Sequence, residues 1–464
     1  MNLSNEATIV FSKDSYFRSN EQFRNFVENS STAFTSLFLD EKLIVAIKEI
    51  KEEKQTYEQV RMLAGSIARE LSDRKVEAAV VQAEKLKEAL PKLQVGEMVK
   101  AYVEGWYLGA YKFLTYKSKG TKFTTKLKIV SDADVSSFIK EGKNRADAMA
   151  FSRNLMNEVP NVLNPETFPT VLQEEFAHTE VKVNVFNKEM LEEMEMNGVL
   201  TVGRGSKYKP TFVELIYRGD SSKPLVALVG KGVTFDTGGI SLKRGVDLSD
   251  MRMDMGGAAA VAGAMKLLAA SKEKVNVIAL IPMVENSPDN TSVLPGEIIR
   301  YKNGHTVQVA NTDAEGRLIL ADALIRAGEM GAEYVVDIAT LTGSIASALG
   351  SKIAGVFGDE ELSVVMKKLG QENGDFVWPM PLVDAYDNYL KSDYADFSNI
   401  STKGEAGSIT AALFLRRFVP KTCRWLHVDM AGVMESQETG YYAKSATGFG
   451  ARLLADYTNY VSSK

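Results

Sequence analysis

Apolar and polar positions divide the chain into strand-like and helix-like stretches that alternate almost throughout. In the first third, Ala7–Phe11, Leu43–Ile47 and Lys126–Val130 are rich in β-branched residues and read as strands. Tyr57–Leu71 and Ala78–Leu90 carry apolar residues at helical spacing with charged outer faces. From Ser131 to Glu158 the pattern is that of one long helix. Ser131 or Asp132 could cap it, and Pro160 ends it because proline cannot continue the hydrogen-bond ladder. Further on, strands are expected at Leu225–Gly230, Val275–Val284, Tyr334–Ala339, Ile353–Phe357 and Trp425–Met430. Helices are expected at Gly256–Ala270, Leu318–Ala327, Thr410–Phe418 and Gly448–Val461. Glu297–Tyr301 and Thr306–Ala310 flank Asn303-Gly304, a pair that favours a type I′ hairpin turn.

Short apolar strands alternating with helices argue a mostly parallel sheet covered on both faces. The fold class expected is therefore α/β. A smaller N-terminal α/β domain (1–130) is joined by a long linker helix (131–158) to a larger C-terminal α/β/α domain (159–464) with a mostly parallel central sheet. In such folds, sites form at the carboxyl ends of strands; Lys231 directly follows one strand, and Asp313 lies shortly after another. The segment Gly256–Ala270 is nearly all small residues and reads as a tightly buried helix. Asp254 stands at its start, where amides and the macrodipole favour a negative charge.

A length of 464 residues exceeds one ordinary core and fits two domains. The net charge of −5 gives no electrostatic reason to expect nucleic acid or an anionic membrane. The basic clusters Lys51–Lys54 and Lys112–Lys122 are short and read as solvated surface. Cys423 is the single cysteine, which excludes an intrachain disulfide and suits a reducing compartment. It reads as a small buried hydrophobe rather than a thiol paired with His427. The first residues lack a secretion signal, and no apolar run approaches the ~18 residues that span a bilayer. A cytoplasmic protein is expected.

The chemistry concentrates in three segments: Lys231 to Lys243 around Asp236, then Asp254, then Asp313-Ala-Glu315-Gly-Arg317. They offer four carboxylates and two lysines without histidine or cysteine, an oxygen-rich set that suits hard or borderline divalent cations. Alternate residues of an extended turn point to one side, so Asp313, Glu315 and Arg317 could face one site. Carboxylates this close repel unless a cation lies between them, and Gly316 lets backbone and ligand approach. Alone, the motif reads equally as a helix N-terminus with acidic first-turn residues. Lys231 and Asp236 could likewise form a simple salt bridge, and Asp254 could be a helix-terminal carboxylate. A phosphate-binding loop is excluded, since neither Gly-Lys-Ser/Thr nor Gly-x-Gly-x-x-Gly stands at the required offset. His178 reads as exposed on a helix and His305 as a solvent-facing hairpin-tip residue.

Together, the segments resemble those of the leucyl aminopeptidase (cytosol aminopeptidase) family, the two-metal exopeptidases. The sequence Asn311-Thr-Asp-Ala-Glu-Gly-Arg-Leu318 carries most of the resemblance. Asn157-Glu-Val-Pro160-Asn-Val-Leu-Asn-Pro165, Ala339-Thr-Leu-Thr-Gly343 and Asp429-Met-Ala-Gly-Val-Met434 extend it over the catalytic half, and Gly105-Trp-Tyr-Leu-Gly-Ala-Tyr111 matches loosely. The resemblance implies two divalent metal ions, Mn²⁺ or Zn²⁺, bridged by Asp236 and Glu315. Asp313 would complete one metal site, and Lys231 with Asp254 the other. Lys231 would act as a neutral amine, while Lys243 would stay charged over the oxyanion. Arg317, with the backbone of Gly316 and Leu341, would hold a bicarbonate that acts as base toward a metal-bridging water. Met251, Thr340, Gly343, Ala431 and Met434 would line a leucine-like side-chain pocket. Peptides with a free N-terminus are the implied substrates, and a homo-hexamer the implied assembly. The competing functions are another two-metal hydrolase, an amidohydrolase or phosphoesterase, and a DNA-binding role additional to catalysis. The first usually needs more histidines than the three present, and the second a basic stripe that is missing.

Overall fold

Valine, isoleucine and alanine fill the inner strands of two sheets, one in each half of the chain. The computed structural model describes every residue except 1–4, 13, 15, 16, 18, 40, 41, 121, 122, 246, 437–439 and 443. Lys122 of the second basic cluster and the first four residues of the N-terminal reading therefore lie outside the described residues. Two units are formed: Met1–Ala150 with Ser436–Ser445, and Phe151–Glu435 with Ala446–Lys464. Among the described residues, no helix is long and apolar enough to cross a membrane.

The first unit holds a five-stranded sheet in the order Phe34–Leu39, Lys42–Ile47, Glu6–Phe11, Ala78–Gln82, Lys126–Val130. Its pairings are parallel except the first, which is antiparallel. The segment Ala78–Leu90, expected as one helix, is instead the strand Ala78–Gln82 followed by the helix Ala83–Ala89. Ala-Ala-Val-Val finds a parallel partner on each side, and that pairing outweighs the local helical spacing. The long helix runs from Ser136 to Asn157 and contributes to both units. It does not begin at Ser131, because the Ser131 hydroxyl and the Asp132 amide both donate to Glu84, at 2.8 and 2.9 Å. Asp134 instead accepts from the Ser136 amide at 2.9 Å.

Helices Tyr57–Asp73 and Val95–Ala110 pack closely because glycines face each other. A Cβ on Gly105 would lie 2.2 Å from the Arg61 carbonyl oxygen, and one on Gly109 2.0 Å from that of Gly65. Gly440 and Tyr442 of the returning segment meet the first of these helices. Arg69 donates to the carbonyls of Gly440 and Tyr442 at 2.5 and 2.7 Å.

In the second unit the path of the sheet is Val377–Pro379, Ala354–Gly358, Arg424–Asp429, Tyr334–Ala339, Leu225–Gly230, Asn276–Asn286, Thr211–Arg218, Lys182–Phe186. Gly232–Asp236 pairs with the far end of Asn276–Asn286. The four central strands are mutually parallel, and the antiparallel pairings lie toward the edges. Helix Gly316–Glu329 packs with Ala227, Val229, Ile278, Leu280 and Val335 on one face. Helices Gly256–Ala270 and Ala451–Ser462 cover the other face. The expected α/β/α architecture is therefore present.

Smaller expectations fare differently. Asn303-Gly304 does sit in an antiparallel hairpin, but Gly304 alone of the pair has positive φ (91°), so the turn is not type I′. Tyr301 accepts from the Gly304 amide and donates to the His305 carbonyl, and a single left-handed glycine then completes the turn. His305 is only half-exposed at the hairpin, since its ring packs edge-on against Phe397 and Phe418, at 5.6 and 5.8 Å between centroids. His178 is exposed just beyond helix Phe168–Phe176. Cys423 is half-buried and donates to the Ala332 carbonyl, while His427 pairs with Asp337 at 2.5 Å.

Gly109→Ala should destabilise the first unit by about 2 kcal/mol through overpacking, despite the ~1 kcal/mol that alanine gains over glycine in a helix interior. Thermal unfolding checks this. An unchanged or raised midpoint would show that the two helices tolerate the methyl group.

Candidate functional site

Every central strand of the second sheet ends in a polar residue or leads directly into one. Lys231 follows Leu225–Gly230, Thr340 follows Tyr334–Ala339, and Asp236, Asn286 and Asp429 close their own strands. All of these are at most 7% exposed, although ionisable groups are seldom buried without partners. Helix Gly316–Glu329 begins at Glu315, its N-cap residue, and the preceding loop carries Asp313. The register of the strands thus brings the three sequence segments to one place.

The ion pairs run crosswise. Lys231 does not pair with Asp236 in the salt bridge that their proximity in sequence suggested. Its Nζ lies 2.8 Å from Asp254 and 3.0 Å from Glu315, and it donates to the Thr340 carbonyl at 3.0 Å. Lys243 pairs with Asp236 at 2.7 Å and with Asp313 at 2.5 Å. Oxygens of Asp236, Asp313 and Glu315 lie within 4.8 Å of one another. The helix amides beside Asp254 also act differently from expectation: the Ala258 amide donates to the Lys231 carbonyl at 2.8 Å. The Asp254 carboxylate is held by Lys231 and by the Thr340 hydroxyl, 2.7 Å away.

Burial and crowding set the protonation chemistry. Burial pushes the Asp254 and Glu315 carboxyls above the usual range; Lys231 opposes this in both, and neighbouring Asp236 reinforces it. Burial also raises Asp313, with Lys243 opposing. Burial disfavours both lysine ammoniums, but the surrounding carboxylates outweigh it and hold their pKa values above the ordinary lysine range. Arg317 is lowered to about 10 by burial. Its Nη1 donates to the Asn399 carbonyl at 2.8 Å, while its Nε has no partner among the described residues.

A cavity of about 570 Å³ opens beside this cluster, lined in part by Lys243, Asp313, Arg317, Leu341, Gly343 and Lys403. A donor set of clustered carboxylate oxygens without thiolate fits hard or borderline divalent cations.

Comparison with known proteins decides the family. A model of the cytosol aminopeptidase family catalytic domain matches residues 150–455, and one of the family's N-terminal domain matches residues 51–120. The chain belongs to the cytosol aminopeptidase family. A probable cytosol aminopeptidase of Persephonella marina is 36% identical over 89% of this chain and 84% of that protein. One of Chlorobium limicola is 39% identical over 85% of this chain and 82% of its own length. Among solved structures, the bottromycin maturation enzyme BotP in complex with Mn is 28% identical with a TM-score of 0.87. The match covers 98% of this chain and 99% of that one. The chain is accordingly a metal-dependent aminopeptidase, a metalloexopeptidase.

Of the residues that the sequence of this aminopeptidase singles out, Lys231, Asp236, Asp254, Asp313, Glu315 and Lys243 form one connected cluster. Gly316 touches Lys231, since a Cβ there would lie 2.5 Å from the lysine Cε. Leu341 and Gly343 line the cavity with Arg317, but the Leu341 amide already donates to Asp429 at 3.2 Å. Thr340 is buried and orients Asp254; Met251, Ala431 and Met434 are half-buried and do not line the cavity. Two residues were not anticipated. Asn286 donates to Asp236 at 2.8 Å and to the Thr312 carbonyl at 3.1 Å. Asp429 accepts from the Leu341 and Thr342 amides and, at 2.5 Å, from the Thr342 hydroxyl. The available signal was a polar residue ending an otherwise apolar strand.

Gly316→Ala should retain the fold yet displace the Lys231 head group, whose flexible end is what the new methyl meets. A shift near 1 Å in such a group costs on the order of 100-fold in turnover. Steady-state assays on a leucyl amide beside a thermal melt check this, and full activity would show that Lys231 relocates harmlessly.

Proposed function

We propose that this aminopeptidase removes N-terminal residues, with leucine-like side chains preferred, from peptides that present a free α-amine. Two divalent cations, Mn²⁺ or Zn²⁺, would be held by Lys231, Asp236, Asp254, Asp313 and Glu315. The observation that carries this reading is the convergence of four carboxylates from three chain segments at the ends of parallel strands. When bound there, two cations would lower the pKa of a water and polarise a scissile carbonyl.

The chain's own residues supply the rest. Lys243 stands at the cavity wall with its ammonium retained, placed to stabilise negative charge developing on a carbonyl oxygen. Arg317 is a buried guanidinium whose Nε–H has no partner among the described residues, which suits it to an anion such as bicarbonate. Gly316 and Leu341 would border that anion, with the Leu341 amide shared with Asp429. Lys231 would coordinate only as a neutral amine; cations compensating Asp254 and Glu315 would remove the charge that holds its proton. Met251, Thr340, Gly343, Ala431 and Met434 are assigned to side-chain recognition by resemblance, with Gly343 supported by its place in the cavity wall. Resemblance likewise supports a cytoplasmic homo-hexamer, with neither membrane nor nucleic acid as partner.

Release of leucine from leucyl amide should cease on complete chelation and return with Mn²⁺ or Zn²⁺. Activity persisting without metal would sink the reading. An N-acetylated substrate should be refused, and its equal cleavage would remove the role of the free amine. Glu315→Gln should lower kcat by more than ~100-fold, beyond the usual effect of an outer-shell change, with the melting profile kept. Normal turnover by that variant would refute the bridging assignment.

A further inference from the structure

Asn399 is fully buried and bonds both to the loop that carries Asp313 and to Arg317. The short strand Phe397–Ser398 pairs in parallel with Val307 and Gln308 and delivers it there. Its Oδ1 accepts from the amides of Ala310 and Asn311, at 2.8 and 3.3 Å. Its Nδ2 donates to the carbonyls of Asn311 and Ala314, at 2.7 and 3.3 Å. Both ends of the side-chain amide are therefore spent on residues 310–314. Asn311 in turn accepts the Asp313 amide through its own Oδ1 at 2.8 Å. The Asn399 main chain completes the link, with its amide donating to Gln308 at 2.9 Å and its carbonyl accepting from Arg317 at 2.8 Å.

We propose that Asn399 is a positioning residue that sets the Asp313 carboxylate and the Arg317 guanidinium relative to each other, and thereby the affinity of the metal site that Asp313 completes. The proposal rests on the two-metal reading above. Only an amide satisfies both sides of the loop. In Asn399→Asp a carboxylate oxygen would face the carbonyls of Asn311 and Ala314, although the acceptor contacts to the two amides survive. Asn399→Ala removes every side-chain contact but leaves the main-chain carbonyl for Arg317. The side-chain variants therefore act through the Asp313 loop.

The test is titration calorimetry of the full chain with Mn²⁺ alone as the probe. Wild type, Asn399→Ala and Asn399→Asp are compared, with melts of the metal-free proteins and with kcat and KM on leucyl amide. One of two Mn²⁺ binding steps should weaken ~10- to 100-fold while the other stays within about twofold, as for loss of a group that orients a ligand. kcat should fall with KM little changed. A lowered melting point with both binding steps and kcat at wild-type values would make Asn399 merely structural and overturn the proposal. Equal weakening of both steps would overturn it too. If Asn399→Ala does not fold, Asn399→Asp decides by the same readouts. Absence of two Mn²⁺ steps in the wild type would instead sink the two-metal reading, and the proposal with it.

Discussion

Four carboxylates gathered in one cluster, three of them nearly closed to water, repel one another, and the site in the second unit is organised around relieving that repulsion. Desolvating an ion costs several kcal/mol unless a partner compensates it. Here two lysines provide the compensation, each divided between two carboxylates: Lys231 between Asp254 and Glu315, and Lys243 between Asp236 and Asp313. Remaining lone pairs are met by neutral donors, among them the Asn286 amide and the Gly238 amide on Asp236 and the Thr340 hydroxyl on Asp254. Carboxylates outnumber ammoniums in this cluster, so it attracts further positive charge while its members stay fixed by hydrogen bonds. That imbalance is the electrostatic basis of metal dependence.

Small residues make this density attainable. Lys231 can reach Glu315 only because Gly316 has no side chain. Its backbone is stitched between the Ile338 carbonyl and the Ala258 amide, at 3.1 and 2.8 Å. A Cβ on Gly257 would lie 2.1 Å from that same Ile338 oxygen, so the start of helix Gly256–Ala270 must be glycine to press against the strands. Interior glycines and alanines weaken the helix by themselves, and burial of nearly all of it offsets the loss. The charged cluster and the small-residue helix are therefore built together, with the Ala258 amide bonded to the Lys231 carbonyl across the gap that Gly257 leaves.

The local segments of the site were legible in the sequence because their chemistry is local. Lys231, Asp236, Asp313 and Glu315 stand beside glycines in short loops, and the apolar strands before them announce a parallel sheet. Pairing was not legible. Lys231 and Asp236 are five positions apart, yet the strand Gly232–Asp236 sends Asp236 to the far end of Asn276–Asn286 and gives it to Lys243. Asn286, Asp429 and Asn399 escaped for the same reason: their partners lie across the sheet or on a distant loop, and no local spacing encodes them. The strand at Ala78–Gln82 was missed through tertiary override, since two flanking strands decide the state of a segment whose own periodicity favours a helix. The return of Ser436–Ser445 to the first unit is a long-range event of the same kind.

The cluster is also asymmetric, and the asymmetry gives it a direction. Side chains of Lys231, Asp254 and Glu315 are 4%, 10% and 3% exposed, whereas those of Lys243 and Asp313 reach 18% and 32%. The closed half is framed by helix Gly256–Ala270 and the strand ends; the open half faces the cavity with Arg317, Leu341 and Gly343. The cavity therefore opens onto the ammonium of Lys243 and the Asp313 loop, the more exposed side of the cluster. The closed half is fixed by packing, which leaves little room to adjust. The open half is held by the Lys243 ion pairs and by directional hydrogen bonds, through Asn399 to the loop and through Asp429 to the Leu341 and Thr342 amides. Polar clamps of that kind can hold a loop in place next to solvent, where apolar packing cannot, and they leave the cavity wall free to contact substrate. The chain thus places rigidity where charge must be buried and directional bonding where a ligand must arrive.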